Sequence, residues 1–370
     1  MGIHRDNAAW PRRKPPPRTE DAGLAASESR LVVKRADLWR IWAISLAVVA
    51  CTHVSPRSDR DRGLAETPVA QGIETEPVRG DLRAGVQAYE DQDYDGAQAA
   101  LQAHLQQHPR SAAAVYELGL VAMAKGQWEL ARQHFEKALV LNPQMHGALS
   151  NQGVALLHLG EDLAALRAME GALALAPDDP RVLGNLAMAR LRRGLWSEAI
   201  DAYQRAISLA PSHGTLLYDL ALAWMIRQQW PQALTALESA LQVRPQFALA
   251  RAAKVACLQG IGDLKAAEVY ARESLDVLQE PLPDNQLVLG RVLIAQRRVD
   301  DGLAVLRDAV KLDPLHAPSQ LALAEVLDAA GKRSQAIEWY QKWLENKNHR
   351  LEDVERITAR VTKLQELGPQ

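Results

Sequence analysis

The sequence predicts an all-α protein, a solenoid of about eight helix–turn–helix units closed by one further helix. Three observations predict it. Alanines recur at a step of 34 residues, at Ala97, Ala131, Ala165, Ala199, Ala233 and Ala267. Prolines keep the same step, at Pro109, Pro143, Pro177, Pro211 and Pro245. A second small-residue series runs through Ala138, Ala172, Ala206 and Ala240. Three series in phase mark an internal repeat, and a repeat of this length is one supersecondary unit that buries its apolar face by stacking on its neighbours. The step slips by one residue near Leu282 and resumes with Gly302, Ala309, Pro314 and Ala336, so units begin at 78, 112, 146, 180, 214, 248, 283 and 317.

Each unit reads as two helices. In the second, Ala112 to Lys125 is one apolar-periodic run, Gly126-Gln127 breaks it, and Trp128 to Leu141 is another that stops at Asn142-Pro143. A residue that precedes proline is driven out of helical backbone space, so the proline closes the helix. The alanines have a packing reason: only small side chains let two helix backbones approach closely. Tyr94, Trp128, Trp196 and Trp230 share one repeat position at the turn before the second helix and read as structural aromatics. Beyond the last unit, Val354, Ile357, Val361 and Leu364 keep helical spacing, which predicts a helix within 351–370 that covers the last apolar face.

These residues resemble the tetratricopeptide-repeat (TPR) family. Its pattern places Leu-Gly on the first helix, then Ala, an aromatic and Ala on the second, then Pro. The second unit supplies Leu118, Gly119, Ala131, Phe135, Ala138 and Pro143, and the fourth supplies Leu186, Ala187, Ala199, Tyr203, Ala206 and Pro211. The resemblance covers residues 78–350. The sixth unit departs, with Lys254-Val255 in place of Leu-Gly and Gln279 in place of Pro, and the slip beside it predicts a bend or weak point there. The eighth has Trp343 in place of Ala and Asn348 in place of Pro.

The chain ahead of the repeats is of another kind. Residues 1–30 include the basic, proline-rich run Pro11 to Arg18, which has no apolar period to pack with. Residues 1–50 carry nine Lys/Arg against five Asp/Glu. A basic flank then leads into Ile41–Cys51, eleven nearly all apolar residues, too few to span a bilayer but suited to the core of a signal peptide. Val48-Val49-Ala50-Cys51 resembles the lipobox of bacterial lipoproteins. That resemblance implies cleavage before Cys51, lipidation of Cys51 and permanent attachment to a membrane. Thr52 stands where aspartate would signal inner-membrane retention, which implies the outer membrane. The leader is long for that family, which a start at Leu31, Val32 or Val33 would explain. Residues 51–77 then form a lipidated cysteine and a flexible tether with a reach of roughly 28 Å.

Composition narrows the function. The chain has 370 residues, 48% apolar and 5% aromatic, with a net charge of −2. The body past residue 50 is mildly acidic, which argues against nucleic acid. Two cysteines, Cys51 and Cys257, make no disulfide framework and no metal cluster. Cys257 falls at a repeat position otherwise held by Val121, Ala155, Ala189 and Ala223, so it reads as a small core residue. His104 and His108 lie four apart on a helix, but the first occupies the small-residue position and the second the helix end. No catalytic motif is found, no cofactor is implied, and residues 78–367 are filled by repeats and cap. The reading is not an enzyme but a protein–protein interaction scaffold.

In TPR proteins the first helices line a groove, and position six of each unit is often Asn bonding the backbone of a bound peptide. Here that series is Arg83, Glu117, Asn151, Asn185, Asp219, Ala253, Val288 and Ala322. By the same register Tyr116, Met123, His158, Arg181, Met188, Arg192, Tyr218 and Met225 are expected to face the groove. Asn151 and Asn185 are the expected backbone clamps, and Arg181 and Arg192 the expected charge readers. The last three units, with Leu287, Leu321 and Ile294, make an apolar end open to a partner helix, to a second copy or to self-capping by the last helix. TPR lipoproteins of this outline include pilotins and gliding-motility lipoproteins, which implies a scaffold for an envelope machine. The alternative is a soluble cytoplasmic TPR adaptor.

Overall fold

The computed structural model describes residues 80–278, 282–345 and 351–368. The leader, the apolar stretch, Cys51 and the tether lie outside these residues. Among the described residues there are seventeen α-helices and no strands. α1 (Gly80–Glu90) and α2 (Tyr94–Gln107) make the first pair, α3 (Ala112–Ala124) and α4 (Trp128–Leu141) the second, α5 (His146–His158) and α6 (Asp162–Leu175) the third, and α7 (Pro180–Arg192) and α8 (Trp196–Leu209) the fourth. α9 (Gly214–Ile226) with α10 (Trp230–Val243), α11 (Ala248–Ile261) with α12 (Leu264–Val277), α13 (Pro283–Ala295) with α14 (Val299–Leu312), and α15 (Ala317–Ala329) with α16 (Arg333–Glu345) complete eight pairs. α17 (Leu351–Glu366) follows them. This is the solenoid that the repeat period predicts.

Local chemistry starts and stops these helices. Ser111, Asp93, Asp179 and Asp263 cap helix N-termini by accepting backbone N–H bonds, Asp93 from Gly96 and Ser111 from Ala114. Pro180, Pro231, Pro283 and Pro318 occupy first turns, where their missing N–H costs nothing. Every pair is joined by a tight turn through one left-handed residue. That residue is glycine at Gly126, Gly160, Gly194, Gly262 and Gly331, but Gln92, Gln228 and Arg297 adopt the same backbone at φ 64°, 57° and 68°.

Within a pair the helices meet where one side chain is absent and its partner is large. A Cβ added to Gly119 would lie 2.5 Å from the Phe135 ring, one at Gly153 2.7 Å from Met169, and one at Gly290 2.9 Å from Leu306. The sixth pair inverts the relation. Val255 takes the glycine position and Ala271 the aromatic position, and both are buried in one cluster. The volume has moved from the second helix to the first, so this departure is compensated packing. α11 and α12 are regular helices, α11 ends on a left-handed Gly262, and α11 rests against α13 of the next pair.

Pairs stack by placing each second helix against the next first helix, and successive first helices also touch one another. The first helices are therefore the better buried row. α3 is buried from Ala113 to Ala122, whereas α4 buries only Ala131, Phe135 and Ala138. At the C-terminal end α17 packs Ile357, Val361 and Leu364 into a cluster with Tyr340 and Trp343. Arg360 fixes it, donating from Nε and Nη2 to the two carboxylate oxygens of Asp328 at 2.6 and 2.7 Å. Cys257 is fully buried, and burial pushes its thiol up to about 12.

Candidate functional site

The first-helix row carries the residues expected to bind. Two of them stitch the row together. Asn151 Nδ2 donates to the Tyr116 hydroxyl at 3.0 Å, and Asn185 Nδ2 donates to Ser150 Oγ at 2.9 Å; each bond spans 35 residues. The clamp position thus links each first helix to the preceding one. Each amide keeps a second N–H and a carbonyl oxygen beyond this bond. Tyr116 also packs its ring against Phe135 at 5.8 Å, and burial pushes its hydroxyl well above the ordinary phenol range.

The charged residues have partners of their own. Arg181 turns back on Asp179, the cap of its own helix, with Nη2 2.9 Å from Oδ2, and His146 Nε2 lies 3.5 Å from the same oxygen. Burial disfavours a charge on Asp179, yet the Arg181 guanidinium holds its carboxyl below the usual range. Arg192 donates from Nη1 to the Leu157 carbonyl at 2.8 Å, and its Nη2 sits 2.7 Å from Asp162 as an ion pair. It closes the C-terminal turn of α5 from the next pair. His158 stacks flat on Trp128 of the preceding pair, with ring centres 3.6 Å apart. Arg192 and His158 hold the same repeat position and do the same job, joining pairs. Tyr218 is buried against Phe247 with ring centres 5.1 Å apart, Met225 is buried beside it, and Asp219 is half-buried on the same helix. Met123 and Met188 are half-buried.

Glu117 differs from its neighbours. It is 2% exposed, and burial, with Glu90 adding to it, pushes its carboxyl up to about 7. Among the described residues no side chain forms a hydrogen bond or ion pair with it.

The apolar end is more enclosed than its register suggests. Ala253, Leu287, Val288 and Ala322 are all buried, Leu287 and Val288 in the clusters that join pairs six to eight, while Leu321 and Ile294 are half-buried. Their row position alone does not separate a groove wall from an interior face, because these side chains are small enough to be enclosed by the adjacent pair. The 35-residue bonds are not among the sequence expectations. Their signal is nonetheless present, since Tyr116 and Ser150 are hydroxyl residues one place before position six in the preceding unit.

Among the described residues no group of three or more His, Cys, Asp or Glu side chains is placed to hold a metal ion, and no helix is long and apolar enough to cross a membrane. The arrangement offers amides, hydroxyls and carboxylates along a row of parallel helices, which suits recognition of extended chain.

Known proteins of the same architecture support this description. Yeast Tom70 aligns over 94% of this chain and 75% of its own at 14% identity, with a TM-score of 0.61. A tetratricopeptide repeat protein from Parabacteroides merdae aligns over 67% of this chain and 97% of its own at 14% identity, with a TM-score of 0.55. PilF of Pseudomonas aeruginosa aligns over 58% of this chain and 97% of its own at 20% identity, but its TM-score of 0.48 is too low to carry an argument. At such identities the likeness establishes the fold alone. No curated protein matches the sequence. The family profile described as tetratricopeptide repeat matches residues 82–146, 116–180, 184–246 and 287–350, more than half of the chain. With the eight stacked pairs and their glycine-to-aromatic packing, this places the chain in the tetratricopeptide-repeat family.

Proposed function

We propose that this protein is a non-enzymatic scaffold that holds an extended segment of a partner protein along its first helices while Cys51 anchors it to the cell envelope. The observation that carries the binding half is the continuous first-helix row of pairs two to five, with amides at Asn151 and Asn185 set at one repeat spacing. A regular row of amides matches the regular donor and acceptor spacing of an extended backbone. TPR proteins bind peptide or protein partners in this way. Tyr116, Glu117, Tyr218 and Asp219 supply side-chain contacts beside the amides, and His158, Arg181 and Arg192 shape the row through the partners they already hold.

The anchoring half rests on sequence. A basic flank, an apolar core and Val48-Val49-Ala50-Cys51 form the pattern of a lipoprotein leader. Lipidation at Cys51, with Thr52 after it, would place the repeats at the outer membrane facing the periplasm, where a scaffold of this kind serves assembly of a pilus, secretin or motility machine. Metabolic labelling with a palmitate analogue tests it. Wild-type chain should take up label and sediment with membranes, and Cys51→Ala should lose both and accumulate as uncleaved precursor. Equal labelling of the two, or a wild-type chain wholly in the soluble fraction, would favour a cytoplasmic adaptor.

A further inference from the structure

The bonds along the first-helix row follow one rule. The position-six side chain reaches the residue 35 places earlier, as Asn151 reaches Tyr116 and Asn185 reaches Ser150. Applied to Glu117, the rule leads to Leu82, a buried aliphatic side chain with no polar atom to offer. Among the described residues the carboxylate at this junction therefore has no side-chain donor, although the residue is only 2% exposed. Its surroundings are acidic and aromatic. Glu90 acts on it electrostatically from the end of α1, Tyr116 is its chain neighbour, and Tyr89 lies within electrostatic range of Tyr116. Arg181 reaches Tyr116 by its field but is itself closed onto Asp179.

A buried carboxylate without a donor is costly, and only a cation or several hydrogen-bond donors would compensate it. A lysine or arginine stem is long enough to carry charge to a recessed acid while covering apolar surface on the way. We propose that Glu117, at position six of the first-helix row with the Glu90 charge acting on it from the end of α1, is the specificity-determining acid of that row, and that it selects a basic side chain in the partner segment. This rests on the scaffold reading given above and names the chemistry of what that row accepts.

A fluorescein-labelled hexalysine peptide serves as the probe, titrated by anisotropy into the full-length chain at about 0.15 M salt, where long-range attraction is screened. Glu117→Gln keeps the shape and removes the charge, and circular dichroism checks its helix content. Asp276→Asn removes an exposed acid on α12, far along the chain. The expected result is a loss of about tenfold or more for Glu117→Gln, with Asp276→Asn within about twofold of wild type. Equal weakening by both, or none by Glu117→Gln, overturns the proposal. Should Glu117→Gln lose helix content, calorimetry on wild type decides instead. Titration near pH 6 in buffers of different ionisation heat should show a proton released as the ammonium binds, and no release overturns it. A chain that captures a partner in cells yet shows neither effect refutes this role for Glu117 and leaves the scaffold reading standing.

Discussion

Glu117→Gln is also the sharpest test of the energetics of the first-helix row. The carboxyl titrates at about 7 in the fold against an ordinary 4.5, with burial the main cause and Glu90 the second. Below 4.5 the group is protonated in both folded and unfolded chains and costs nothing. Between 4.5 and 7 the unfolded chain gives up the proton while the fold retains it, so stability falls as pH rises, and above 7 the loss is complete. Each unit of difference is worth about 1.4 kcal/mol, so the fall amounts to about 3 kcal/mol. Glutamine has no proton to lose. With a pH-independent cost of about 1 kcal/mol for the buried amide, the variant should be about 1 kcal/mol less stable than wild type at pH 4 and about 2 kcal/mol more stable at pH 8. Urea denaturation of both chains from pH 4 to 8, followed by circular dichroism, measures this. Groups other than Glu117 cancel in the difference between the two curves. A difference that stays flat across the window would refute the burial argument, and with it the claim that this acid lacks a side-chain donor among the described residues.

Two further predictions follow from the packing. Val255→Gly should cost about 3 kcal/mol from lost burial and added helix flexibility, and Ala271→Phe alone about 1–3 kcal/mol from overpacking. Together they restore the arrangement of the other pairs, so urea midpoints of the double-mutant cycle should show a favourable coupling of about 2 kcal/mol, where strict additivity would mean that the two side chains do not share one space. Gln228 sits at φ 57° in the turn of the fifth pair. Gln228→Gly should relieve about 1 kcal/mol of left-handed strain, less glycine's own entropy cost, and raise the melting temperature by about 2 °C, whereas a lowered melting temperature would refute the turn geometry.

Much of the fold is legible in the sequence because each unit states the same pattern again. Ala199 or Pro211 alone says little, but their recurrence every 34 residues removes the ambiguity of any single copy. Relations between units are harder to read. Within the sixth unit the family pattern marks Val255 as a fault, and only its shared cluster with Ala271 shows a compensated contact. The register makes Arg192 a charge reader of the groove, because it cannot see that the Leu157 carbonyl lies 2.8 Å from its guanidinium. Leu287 reads as an open apolar face from its register, yet it is fully buried in the cluster linking the last pairs. Asn151 and Asn185 stand out by residue type, while the bonds they make become visible only with Tyr116 and Ser150 in place beside them.

The central claim is that the first-helix row, rather than the second helices, holds a partner protein. Site-specific photocrosslinking in intact cells tests it whatever that partner is. A photoreactive side chain replaces Arg181, which begins α7 with 39% of its side chain exposed, and in a second strain Val269, 58% exposed on the second helix α12. The account predicts a discrete protein adduct from position 181 and none from position 269. An adduct from position 269 with none from position 181 would contradict it.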